Sequence, residues 1–189
     1  MTFDFNSPSN SGLVLPNSPL YTIPEDYDSD GGSVDSCVSD WTSGTDWGAI
    51  ASCDRINVGM SFDGWVYRGA QALYGPHETV LPAGVEEEDA GMHYYEIRKQ
   101  LDQGTLSKGW DDVTKTIFGG NTEGELITYE DAMSVCWKMD NGIENNLNGF
   151  FIWELTADVL DDKTAPLLKA INFETWAVRL QLHSGHEHD

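Results

Sequence analysis

Positive charge is what this sequence has least of: 10 Lys and Arg stand against 32 Asp and Glu, a formal net charge of -22 over 189 residues. Such a surface repels phosphate backbones and anionic lipid. It therefore argues against nucleic acid and membrane partners and leaves neutral ligands, cations or plain solvation. Cysteine is scarce too. Cys37, Cys53 and Cys136 form no Cys-x-x-Cys pair and close at most one bridge, so they define neither a disulfide framework nor a redox compartment. No apolar run reaches the roughly 20 residues of a membrane span. No basic stretch with an apolar core opens the chain, so as written it carries no secretion address. There is no glycine-rich phosphate loop after a strand and no nucleophilic triad pattern; no cofactor and no metal centre are expected.

Apolar residues are not lacking. With 40% hydrophobic and 11% aromatic residues the chain can build a packed core, although a complete eight-stranded α/β barrel typically needs about 250 residues. The run GFFIWELTADV, Gly149 to Val159, is apolar without alternation. That pattern suits a strand covered on both faces, as in a parallel sheet. It stops at Trp153 beside Glu154, with Asp158 and Asp161 just beyond. Parallel sheets place their ligands at the carboxyl ends of their strands, so Trp153 is either core or the floor of a site.

MTFDF reads as a first short strand, and residues 6–33 as a loop of turn-forming residues. Val34, Cys37, Val38 and Trp41 fall at i, i+3, i+4 and i+7 on one helix face, with Ser33 as N-cap. Arg55 to Phe62 reads as a second buried strand. Residues 63–126, rich in glycine and charge and containing the helix candidate YYEIRKQL, read as an inserted α+β subdomain. ITYEDAMSVCWKM is expected as a helix capped by Thr128, with Asp131 in a capping-box-like place. NGFFIWEL follows as a third strand, and Lys163 to Leu180 as a closing helix with Pro166 near its start. Strand, helix, strand, insertion, helix, strand, helix is the order of successive βα units. Segments 1–62 and 127–180 thus flank the subdomain at 63–126, with a polar tail at 181–189. Trp41, Trp137 and Trp176 sit at core-like helical spacing and are expected to be structural.

These pieces resemble, in order, the carboxyl-terminal half of glycoside hydrolase family 18, the chitinase family. Met1-Thr2-Phe3-Asp4 is similar to the Met-x-Tyr-Asp of its sixth barrel strand, and Asn17-Ser18-Pro19-Leu20-Tyr21 to the "apLY" stretch that follows. Gly59-Met60-Ser61-Phe62-Asp63-Gly64 resembles the seventh strand, Gly-x-Pro-Phe-Tyr-Gly-Arg. Tyr94-Tyr95-Glu96-Ile97 and Trp110-Asp111-Asp112 are similar to segments of the family's inserted subdomain. Ile127 to Lys138 and Asn148 to Leu155 resemble the return to the barrel and its last strand. No single motif is specific; the ordered set is. The resemblance implies an α/β fold, a partial (β/α)8 TIM barrel made of the last three βα units, with an inserted α+β subdomain. It also implies substrate-assisted retaining hydrolysis of β-1,4-N-acetylglucosamine polymers. Chitin or N-acetylglucosamine oligosaccharides are the implied partners, and the implied location is extracellular.

The same resemblance assigns a site. Trp153 would lie flat under a sugar ring, its indole face against axial C–H groups. Asp4 would orient the acetamido group, with Met1 close by. Phe3 replaces the family tyrosine and so removes a hydroxyl donor. Trp65 stands where the family has arginine, leaving Arg68 as the next candidate. The proton-donor motif Asp-x-x-Asp-x-Asp-x-Glu is absent from the sequence, and the acidic stretch Glu25 to Gly32 cannot replace it. The chain alone is therefore expected to be inactive. Met1 falling on the family's motif methionine suggests an internal start or a truncated gene.

Two other classes compete. One is a lectin-like glycan-binding protein that binds without turnover. The other is a calcium binder: Asp26-x-Asp28-x-Asp30-Gly31 opens like an EF-hand loop, but Cys37 stands where the closing glutamate belongs, and a solvated acidic loop is the simpler reading. His183, His186 and His188 are read as part of a frayed tail. Three barrel strands leave two edges unpaired, so marginal stability or association through those edges is expected.

Overall fold

The computed structural model describes residues 2–9, 11–27, 32–43, 50–78 and 90–172. In chain order its elements begin with α1 (Val34–Ser43), β1 (Asn57–Ser61), β2 (Asp63–Arg68), β3 (Gly91–His93) and α2 (Tyr94–Gln103). They continue with β4 (Leu106–Asp111), β5 (Thr116–Asn121), β6 (Glu125–Tyr129), α3 (Ala132–Glu144) and β7 (Gly149–Trp153). β1 and β7 pair in parallel, in register from Asn57 opposite Gly149 to Ser61 opposite Trp153. The other five strands form an antiparallel sheet in the order β3-β2-β6-β5-β4. Helix α1 is capped as expected, the Ser33 hydroxyl accepting from the Ser36 amide at 3.0 Å. Among the described residues no helix is long and apolar enough to cross a membrane. Cys37, Cys53 and Cys136 take part in no disulfide.

One apolar core joins the two sheets. Met60 and Phe62 from the parallel side pack in the same cluster as Ile97 of α2, Ile127 of β6, and Val135 and Met139 of α3. Burial of that size is the main term holding such elements together. The approach of the N-terminal segment to β1 depends on Gly59: a Cβ there would lie 2.6 Å from the Phe151 ring and 2.7 Å from the Phe3 ring. The core also encloses a buried polar cluster. Lys138 bonds Glu130 and, at 2.7 Å, the Ser18 hydroxyl, and Ser134 donates to Glu130 at 2.6 Å. It ties α3 to the end of β6 and to the N-terminal loop.

Several local expectations change. Residues 2–5 form no strand. Asp4 is in the left-handed region at φ 58, which breaks an extended run, and Thr2 meets β1 through its side chain. The Thr2 hydroxyl donates to the Gly59 carbonyl at 2.9 Å and accepts from the Gly59 amide at 2.7 Å. The helix expected from Thr128 begins at Ala132, because Leu126 to Tyr129 complete the antiparallel sheet. Asp131 is its cap, accepting from Met133 at 2.9 Å and Ser134 at 3.0 Å. β7 is not covered on both faces: Phe150 and Ile152 pack inward while Phe151 and Trp153 are exposed. Trp41 is 53% exposed and Trp137 is also exposed, so neither is core; the Lys115 ammonium sits 4.6 Å from the centre of the Trp137 ring. Residues 166–172 are helical, starting at Pro166, a favoured first helical residue. Asp158 caps this helix, accepting from the Leu167 and Leu168 amides at 3.0 and 2.8 Å. That explains one of the acids after Trp153. Trp176, the C-terminal histidines, and most of the Asp26–Gly31 loop lie outside the described residues.

Candidate functional site

β1 and β7 end side by side at Ser61 and Trp153, and there a cleft of about 570 Å³ opens. One wall is Trp153 and Glu154, reached from β7. The opposite wall comes from the antiparallel sheet, with Asp63, Gly64 and Trp65 of β2 and Met92 and His93 of β3. Asp4 reaches in from the N-terminal segment. Trp153 is 61% exposed. A large aromatic surface open to solvent inside a concavity is unusual packing and a ready platform for an apolar ligand face.

Hydrogen bonds fix the polar groups around it. Asp4 accepts from the Trp65 indole N–H at 3.1 Å, and its amide donates to the Asn17 side chain at 2.7 Å. Asn17 in turn donates to the Asp63 carbonyl at 3.4 Å, so one amide side chain spaces two cleft acids. Asp63 and His93 are direct cross-strand neighbours on β2 and β3, and their side chains meet at 2.5 Å through His93 Nδ1. The His93 amide donates to Glu96 at 3.2 Å, and the His93 ring stacks on Tyr95 with centroids 5.4 Å apart. The Asp63 hydrogen bond pushes the His93 pKa up. Burial pushes the Asp63 carboxyl up, with His93 pulling against it. Asp4, Asp63, Glu96 and Glu154 make the lining strongly acidic, with His93 its one basic side chain among the described residues.

The structure brings Asp4 and Trp153 into the same cleft. It does not bring Arg68 there: Arg68 ends β2 beyond the lining residues and pairs with Glu125 at 3.4 Å. Phe3 is buried, 6% exposed, with its ring centre 6.0 Å from that of Phe151. It supports β1 and presents nothing to the cleft. Met1 lies outside the described residues. The sequence assigns Asp63 and His93 no role in the site, while Glu154 is visible there only as the acid beside Trp153. Only the β2–β3 register reveals Asp63 and His93 as a pair, since they stand thirty residues apart. Among the described residues no group of three or more His, Cys, Asp or Glu could hold a metal ion. A larger hollow of about 700 Å³ is lined by the charged face of α2 and by Leu160 to Asp162. No parallel strand ends there, and it lacks the exposed indole platform.

An α/β fold with an aromatic-lined cleft at the carboxyl ends of its parallel strands is the arrangement in which barrel-type proteins hold their ligands. The family model "Glycosyl hydrolases family 18" matches residues 1–158, and the chain belongs to that family. Catalytic domain 2 of the Group II chitinase of Ostrinia furnacalis is 20% identical at a TM-score of 0.77, over 92% of this chain and 46% of that one. An immunomodulatory active chitinase from Trichuris suis is 22% identical at a TM-score of 0.76, over 93% of this chain and 49% of that one. Human YKL-39, described as a pseudo-chitinase with retained chitooligosaccharide binding properties, is 19% identical at a TM-score of 0.75, over 93% and 49%. At these identities the likeness is one of fold. The chain spans about half the length of these structures. No curated protein matches it significantly.

Proposed function

We propose that this chitinase-like chain binds N-acetylglucosamine oligosaccharides in the Trp153 cleft and, as these 189 residues stand, does not hydrolyse them. The observation that carries the reading is the exposed Trp153 indole at the carboxyl end of the parallel pair, faced by Asp4 within one cleft. Pyranose rings offer an apolar C–H face to such an indole and hydroxyl and acetamido groups to the acids around it. Asp4 is positioned to accept from an acetamido N–H. The reading takes the parallel pair and the antiparallel sheet as the last βα units of a barrel and its inserted subdomain. The family reaction, substrate-assisted retaining hydrolysis of β-1,4-N-acetylglucosamine polymers, needs the Asp-x-x-Asp-x-Asp-x-Glu motif, which the sequence does not contain. Phe3 at the tyrosine position also argues against turnover. An extracellular location follows the family reading, as does association through unpaired strand edges.

A lectin-like role is the same binding put to use without chemistry, and the exposed Trp153 platform in a sequence without the proton-donor motif favours it. The test is calorimetric titration with N-acetylchitotetraose, alongside an assay for its cleavage. Binding without cleavage is expected, with affinity falling roughly ten-fold in Trp153→Ala. Cleavage by the purified chain, or binding untouched by Trp153→Ala, would overturn the reading.

A further inference from the structure

We propose that His93 is a glycan-binding residue of this cleft, held by Asp63 so that its Nε2–H is offered to a carbonyl or hydroxyl oxygen of a bound N-acetylglucosamine unit. The proposal deepens the binding reading above and rests on it. The side chains of Asp4, Asp63, Glu96 and Glu154 fill the lining with acceptors. Donors are few. The Trp65 indole N–H is committed to Asp4, and the Ser61 hydroxyl lies 3.5 Å from the Asp63 carbonyl. Ser61 is also buried, so among the described residues His93 is, beyond the indole N–H of the Trp153 platform, the exposed lining side chain with a donor to spare. Acetamido carbonyls and ring hydroxyls need such donors.

His93 is also fixed at three points. Its backbone is tied to Glu96 at the start of α2, its Nδ1 to Asp63 across the strand pair, and its ring face to Tyr95. A carboxylate on Nδ1 sets the orientation of an imidazole and leaves Nε2 as its working atom. Asp63 is therefore a positioning residue. Protonated, His93 donates from both nitrogens. Once deprotonated it keeps Nδ1–H for Asp63, and Nε2 becomes one more acceptor in a cleft full of them. The groups facing it are Asp63 on β2, Tyr95 and Glu96 on α2, Glu154 after β7 and Asp4. The charged ones all favour the protonated ring, consistent with its raised pKa. Glycan binding should weaken as pH rises through that value.

The experiment is calorimetric titration with N-acetylchitotetraose from about pH 5.5 to about pH 8.5. Wild-type affinity is expected to fall roughly ten-fold across that range, the loss of one charged hydrogen bond. His93→Gln, which keeps an N–H donor, should bind with a flat profile. His93→Ala should bind weakly throughout, and Asp63→Asn should move the fall to lower pH. If wild type binds and Trp153→Ala does not, yet His93→Ala keeps wild-type affinity and pH profile, the proposal fails while the binding reading stands. If wild type binds at no pH, both fail. Should the His93 variants not fold, NMR of the wild-type imidazole decides: tetraose must raise the His93 pKa, and an unchanged value overturns the proposal.

Discussion

Trp65 donates its indole N–H to Asp4 at 3.1 Å, joining residues 61 apart in the sequence. A neutral donor thus holds the acid proposed to face an acetamido group, at the place where the sequence resemblance implies an arginine in the family. A double-mutant cycle tests this bond. Asp4 has φ 58, so Asp4→Gly removes the carboxylate without straining the backbone. Combined with Trp65→Phe, a coupling of about 0.5–1 kcal/mol is expected in urea denaturation. A coupling of zero would mean the bond does not form in solution.

Stability should fall as pH rises past neutrality. The His93 pKa is raised, chiefly by Asp63. The stability gained from that pairing is fully present below the ordinary imidazole value of about 6.5, and it is lost as pH climbs through the higher folded value. Asp63, raised by burial, contributes with the same sign at more acid pH. Melting temperatures of wild type are expected to decline from about pH 6.5 upward, and those of His93→Gln to stay flatter. Parallel curves for the two proteins would contradict the assignment.

Lys138 and Glu130 are both buried and bonded to each other. Burial pushes the lysine pKa down and the glutamate pKa up, and their mutual attraction opposes both shifts. Lys138→Met leaves Glu130 as an uncompensated buried acid and should cost about 3–5 kcal/mol. Adding Glu130→Gln should recover much of that loss. Guanidinium denaturation of wild type and the two variants gives the comparison, and a Lys138→Met protein as stable as wild type would refute the pairing.

Gly59 is a packing glycine. A methyl group there meets the Phe151 and Phe3 rings well inside van der Waals contact, so Gly59→Ala should destabilise by about 1–3 kcal/mol. Gly124 has nothing within 4 Å of the same position but a φ of +81. Its replacement by Asn, which tolerates that region, should change the melting temperature little. Equal losses at the two positions would argue against crowding at Gly59.

The sequence carried its information unevenly. Helix α1 is legible because Val34 and Val38 repeat at helical spacing and both are buried. Trp41 misleads because nothing in that periodicity tells how far the neighbouring layer extends, and the helix's last turn passes beyond it. β6 was hidden because Ile127, Thr128 and Tyr129 run straight into a helix, and the capping signal at Thr128 resembled the real one at Asp131. In the cleft, Asp4 and Trp153 were legible through the motifs they end. The Asp63–His93 pair depends on the antiparallel register of β2 and β3, and the Trp65–Asp4 bond on a left-handed residue in a loop. Neither leaves a local sequence signal.

The Thr2 hydroxyl occupies both backbone groups of Gly59, the middle residue of β1, on the side away from β7. Groups that would template another strand there are already in use. Among the described residues β7 has no strand on its far side. The parallel pair is thus one-sided, like a zipper with one half stitched shut. Contact through the one open margin of this parallel pair terminates when two copies meet, whereas two open margins on it would permit endless growth. Sedimentation should therefore find monomers and dimers of the wild type. Thr2→Val, which unblocks the Gly59 groups, should add larger species.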